Sequence, residues 1–156
     1  MKIALIIACL ASLAGAAEMR KDAPGFSLKD SKGTSVQLSK YKGKVVVLDF
    51  WATWCGGCKV EIPWFMEFQK KYKHSGLAVI GVSMDDDGWK VVKPFLKEKK
   101  LNYTVVLGND DLAKSYGLDS MPMTLLIDRE GKIAATHVGM VEKSAFEKEI
   151  QALLQH

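Results

Sequence analysis

Val45-Val46-Val47-Leu48-Asp49-Phe50-Trp51-Ala52-Thr53-Trp54-Cys55-Gly56-Gly57-Cys58-Lys59 is the stretch on which the reading of the chain turns. Its first seven residues are almost unbroken apolar sequence, as expected of a strand covered on both faces in a parallel sheet. One acid, Asp49, interrupts that strand, where an unpaired charge is expensive. Two cysteines separated by two residues follow at once, and the spacing beyond them predicts a helix over about 56–73.

Working outward, residues 26–28 and 34–38 read as a short hairpin around the polar turn Lys29-Asp30-Ser31-Lys32-Gly33. Residues 77–84 form a second buried strand. Residues 89–99 form a helix with Val92, Phe95, Leu96 and Lys99 at helical spacing. A strand over 103–107 and a short helix over 110–116 come next. Residues 123–128 and 132–138 are joined by Arg129-Glu130-Gly131 as a hairpin, and Phe146, Ile150, Leu153 and Leu154 mark a closing helix. Strands alternating with helices, then a hairpin and a helix, predict a three-layer α/β domain.

Composition agrees with one globular domain over 22–156. The chain has 156 residues, 26% charged and 48% hydrophobic, with formal charge +4 and mean hydropathy +0.01. It is too apolar for disorder, and three cysteines are too few for a disulfide scaffold. The lysines are dispersed among acids, so nothing points to nucleic acid. The N-terminus stands apart. Met1-Lys2, an apolar run from Ile3 to Leu13, and the small residues Ala14-Gly15-Ala16-Ala17 have the layout of a secretory signal cleaved after residue 16 or 17. Its run is short for an uncleaved anchor. Cys9 sits in a loose lipoprotein-like box. Cleavage removes Cys9 and leaves Cys55 and Cys58 in a compartment where disulfides persist.

The Cys55-Gly56-Gly57-Cys58 turn is placed for thiol–disulfide exchange. A helix N-terminus carries free N–H groups and partial positive charge, which favour a thiolate at Cys55. Cys58, one turn further in, can attack a mixed disulfide formed at Cys55. Half a zinc site is the rival reading, but the mature chain has no further cysteine, and His74, His137 and His156 show no paired spacing. A structural bridge across so short a span would restrain the unfolded chain little.

Asp49-Phe50-Trp51-Ala52-x-Trp54-Cys55-Gly56-x-Cys58-Lys59 resembles the active-site segment of the thioredoxin superfamily. Ala23-Pro24-Gly25-Phe26-Ser27-Leu28, Gly43-Lys44-Val45-Val46-Val47, Glu61-Ile62-Pro63 and Met121-Pro122 before Leu125-Leu126-Ile127-Asp128 are similar to its secreted TlpA/ResA branch. The resemblance implies a thioredoxin fold with an N-terminal β-hairpin extension and a central insertion within 83–118. It implies a periplasmic or secreted thiol–disulfide oxidoreductase with a redox-active Cys55–Cys58 disulfide and no cofactor or metal. Its partners would be protein dithiols or disulfides, as in cytochrome c maturation, and a membrane donor of electrons, with the protein itself a monomer. Cys55 would attack and Cys58 resolve. Trp54, Gly56, Gly57, Met121 and a cis Pro122 would position substrate, and Pro63 would kink the helix. One departure stands out: Gly57 occupies the place where relatives commonly carry proline. That pair helps set the potential, so the direction of electron flow stays open.

Two carboxylates frame the cysteines. Asp49 matches the buried proton acceptor of thioredoxin, where the ResA branch often has asparagine. Cys58, Glu61, Phe65, Phe68 and Tyr72 share one helical stripe, which puts Glu61 on the buried face one turn after Cys58. A carboxylate in apolar surroundings titrates high and can hold or pass a proton. The plainer reading of each is a capped or salt-bridged structural acid, and His137 reads as structural. Two rivals on the same framework are a peroxiredoxin-like peroxidase, which would need an arginine beside Cys55, and a copper-delivery protein, which would need a histidine near the thiols.

Overall fold

In a computed structural model, which describes residues 20–156, the buried runs form a five-stranded sheet. Strands β3 (Val45–Trp51), β4 (Leu77–Ser83), β5 (Thr104–Leu107), β6 (Met123–Ile127) and β7 (Ile133–Val138) lie in the order β5-β4-β3-β6-β7. Strands β3, β4 and β5 run parallel, whereas β6 and β7 are antiparallel to their neighbours. Every residue of β3, β4 and β6 is buried. That follows from apolar runs that must be covered on both faces. Helices α1 (Gly56–Tyr72), α2 (Trp89–Lys99) and α4 (Lys143–Leu154) cover one face, through Phe65, Phe68, Val92, Phe146 and Ile150. Helix α3 (Asp110–Tyr116) and the hairpin of β1 (Ser27–Lys29) with β2 (Ser35–Gln37) cover the other. This is the three-layer thioredoxin fold expected from the sequence, and α2 with β5 forms the central insertion.

The first hairpin differs in detail from its sequence reading. Leu38 does not extend β2; it opens a single 3-10 turn (Leu38–Tyr41) with its side chain buried. The Asp30 carboxylate accepts the Lys32 and Thr34 N–H groups at 2.8 and 2.9 Å, closing the turn one residue later than the apolar pattern indicates. At the far end of the sheet from the cysteines, Arg129 donates to the carbonyls of Gly43, Ser75 and Leu154. The leader, its cleavage point and Cys9 lie outside the described residues, among which no helix is long and apolar enough to cross a membrane.

Candidate active site

Strand β3 delivers the chain to the cysteines through a braced loop. Met84 N–H donates to the Trp51 carbonyl at 2.8 Å. The Asp85 carboxylate accepts both the N–H and the hydroxyl of Thr53, and the Ser83 hydroxyl at 2.8 Å. Cys55 then occupies the N-cap of α1 in extended backbone, and its Sγ accepts the Cys58 N–H at 3.2 Å. A sulfur so placed faces the positive end of the helix, with no acid in the first turn to oppose it. Cys55 and Cys58 are joined as a disulfide, their Cα atoms 5.3 Å apart. Cys55 keeps 6% of its surface and Cys58 none. Access therefore favours Cys55.

The opposing wall comes from two distant loops. The Met121–Pro122 peptide bond is cis, and Met121 packs against the cluster that contains both cysteines. Gly139 N–H donates to the Pro122 carbonyl at 2.9 Å, tying the β7–α4 loop to this turn. Gly57 lies beneath both: a Cβ there would stand 3.2 Å from Met140 Cγ and 3.3 Å from Pro122 Cδ, whereas Gly56 faces open space. Trp54 and Met140 are 68% and 57% exposed, an apolar rim beside a recessed disulfide. Trp51 instead is fully buried against Phe95.

Behind the disulfide lies one straight rung of the sheet. Val105, Gly81, Asp49, Thr124 and His137 are successive register partners across β5, β4, β3, β6 and β7, and therefore share a face. Asp49 is fully buried; its Oδ1 accepts the Thr124 hydroxyl at 3.3 Å, and Oδ2 has no partner. Glu61, equally buried, projects from α1, and one of its oxygens accepts the Val141 N–H at 2.5 Å while the other is unpaired. Burial holds the Asp49 carboxyl well above the usual carboxylate range, and the nearby Glu61 raises it further against the weaker Thr124 bond. Burial also raises Glu61, opposed by the Val141 N–H and by His137. His137 pairs with Glu149 at 2.9 Å and sits edge-on to Phe146.

Met121 thus packs against the cluster that holds Cys55 and Cys58, Gly57 meets Pro122, Glu61 follows Cys58 by one helical turn with Asp49 close to it, and Gly56 and Trp54 face solvent. Pro63 lies inside α1, which runs through it as one helix. Sequence reasoning missed Thr124, Val141, Met140 and Asp85. Asp85, an acid two residues past the end of a buried strand, is the one whose position could have signalled a loop clamp. Among the described residues no three His, Cys, Asp or Glu side chains gather as a metal site.

Residues 19–136 match the AhpC/TSA family. The chain is 34% identical over 137 residues to the thiol-disulfide oxidoreductase ResA of Bacillus thuringiensis subsp. konkukian, covering 87% of this chain and 79% of that protein. It superposes with a TM-score of 0.82, at 38% identity, on a Chlorobium tepidum structure described as a DsbE thiol:disulfide interchange protein, covering 86% and 96% of the two chains. The exposed lipoprotein thioredoxin of Streptococcus pneumoniae strain TIGR4 gives a TM-score of 0.74 at 32% identity, covering 83% and 100%. The chain belongs to the AhpC/TSA family of the thioredoxin superfamily, in its ResA-like branch, and is a thiol–disulfide oxidoreductase acting on protein thiols.

Proposed function

We propose that this AhpC/TSA-family oxidoreductase works outside the cytoplasm and uses Cys55-Gly56-Gly57-Cys58 to reduce protein disulfides, as in cytochrome c maturation. The observation that carries the reading is the position of Cys55 Sγ: at the cap of α1, accepting the Cys58 N–H, and less covered than Cys58. In the reduced enzyme the Cys55 thiolate attacks a substrate disulfide and expels one substrate sulfur. Cys58 then loses its proton to Asp49 and attacks Cys55 Sγ, releasing the second substrate sulfur. Two electrons pass to the substrate, its two sulfurs take up protons, and the Cys55–Cys58 disulfide remains. A membrane donor of the thiol-reducing type returns the two electrons. Glu61 adjusts the charge beside the thiols, and Met121 offers its backbone to the bound peptide next to cis Pro122.

Against a peroxidase, the two described arginines lie elsewhere: Arg20 pairs with Asp128 and Arg129 binds carbonyls at the far end of the sheet. Extracytoplasmic placement rests on the leader-like N-terminus, and cleavage after residue 16 or 17 leaves one domain over 22–156. The deciding experiment is the equilibrium potential of the Cys55–Cys58 couple against glutathione, run beside insulin reduction. A potential well below that of the glutathione pool, with turnover abolished in Cys55→Ser, is the expected result. A potential near that of a strong periplasmic oxidant would reverse the direction of the reaction.

A further inference from the structure

Two more polar side chains converge on the rung that carries Asp49. Gly81 is its register partner on β4. A Cβ built on Gly81 would stand 2.8 Å from Trp51 Nε1 and 3.2 Å from Tyr103 Cε2, so both side chains use the space a larger residue would fill. Trp51 projects from β3 on the same face as Asp49, two residues on, and Tyr103 immediately precedes β5. The Trp51 Nε1 and the Tyr103 hydroxyl are both buried without a hydrogen-bond partner, and so is Asp49 Oδ2. An indole N–H can only donate, and a phenol O–H serves as a donor here. A carboxyl group that keeps its proton presents a donor of its own to these two; the carboxylate presents acceptors alone.

We propose that Trp51 and Tyr103 form a donor pair over Gly81 that holds the charged Asp49 carboxylate through one bridging water, and that Tyr103 is thereby a positioning residue for the proton step at Cys58. The inference rests on the reading above in which Asp49 receives that proton. The donor pair opposes the burial and the neighbouring Glu61 that otherwise keep Asp49 protonated. The Tyr103 phenol is itself raised well above its ordinary value by burial and by Asp49, so it remains a donor throughout the working range. The other groups acting on Asp49 are Glu61 from α1 and Thr124 from β6, with His137 of β7 acting on Glu61. Tyr103 also lines a solvent-open cleft with Gln69, Leu96 and Asn102.

The test is Tyr103→Phe, read by the titration of the Asp49 carboxyl carbon in the reduced protein by NMR and by the pH profile of insulin reduction. Loss of the donor disfavours the anion, so Asp49 should titrate at higher pH than in wild type. Reduction should fall roughly tenfold to a hundredfold on the acidic side of the profile, the scale of one hydrogen bond to a charged group, and rejoin wild type on the alkaline side. A merely structural role would lower the rate equally at all pH values. Gly81→Ala, whose Cβ would press on both donors, should shift the profile in the same direction. Superimposable titrations and profiles for wild type and both variants, beside an altered Asp49→Asn profile, would overturn the donor pair alone. An Asp49→Asn profile identical to wild type would overturn the pair together with the role given to Asp49.

Discussion

Glu61 and Val141, 80 residues apart, are joined by a buried bond from the Val141 N–H to the Glu61 carboxyl. The bond ties α1, one turn after Cys58, to the loop that lays Met140 over Gly57. Glu61 is thus both an acid beside the dithiol and the anchor of one wall of the site, and two substitutions separate the roles. Glu61→Gln keeps an acceptor for Val141 and removes the charge. Glu61→Ala removes both and leaves a buried N–H unsatisfied, at a cost of about 1–3 kcal/mol. An ionised Glu61 opposes thiolate formation, so Glu61→Gln should lower the apparent thiol pKa read by alkylation of Cys55 against pH. The measured value belongs to the coupled set of Asp49, Glu61 and the two thiols. An unchanged profile in Glu61→Gln, with exchange rates also unchanged, would leave Glu61 only its anchoring role.

The order of the two sulfurs gives a second expectation. Cys55 alone keeps exposed surface, and its Sγ sits at the cap of α1. Cys58→Ser should accumulate a mixed disulfide with substrate through Cys55, visible by non-reducing electrophoresis and intact mass, whereas Cys55→Ser should trap none. Faster alkylation of Cys58 than of Cys55 in the reduced wild type would reverse the assignment.

Gly57 and Met140 make a third case, in which two effects of similar size compete. Gly57 lies in the first turn of α1, where alanine is favoured over glycine by about 1 kcal/mol. Its Cβ would come within 3.2 Å of Met140 Cγ, yet Met140 is a flexible side chain with 57% of its surface exposed. Gly57→Ala alone should therefore change stability by less than about 0.5 kcal/mol, because crowding offsets propensity. In a Met140→Ala background, where the 3.3 Å approach to Pro122 Cδ remains, the same substitution should be more favourable than in wild type by about 0.5 kcal/mol. Urea melts of the four proteins of this cycle check it; equal effects in both backgrounds would show that Met140 does not restrain Gly57.

Much of the fold could be read in advance because its signals are local. β3, β4 and β6 are continuous apolar runs, and the stripe Cys58, Glu61, Phe65, Phe68 identifies the inner face of α1 from spacing alone. The rung behind the dithiol could not be read, since Gly81, Asp49, Thr124 and His137 become neighbours only through registers between strands far apart in sequence. Val141 contributes a backbone N–H, which leaves no trace in residue identity. His137 illustrates the limit well: the hairpin pattern places it on a strand, but does not show that β7 is a half-exposed edge where His137 pairs with Glu149.

Asp49 should also set a pH dependence of stability, with a definite sign. Unfolded, its carboxyl titrates near pH 3.9; folded, burial and Glu61 raise it well above the ordinary value. Between these two values the native state binds the proton that the unfolded chain has released. Stability then falls as pH rises from about 4 through the native-state titration, and this penalty is absent at lower pH. Asp49→Asn keeps an amide oxygen to accept the Thr124 hydroxyl and has no charge to bury. It should be more stable than wild type at pH 7–8, by about 1–3 kcal/mol, and should lose that advantage near pH 4. Urea unfolding of the oxidised proteins at several pH values measures the difference. A gain that is the same at pH 4 and pH 8 would mean that Asp49 is ionised in the native state across the range, and that burial does not govern its charge.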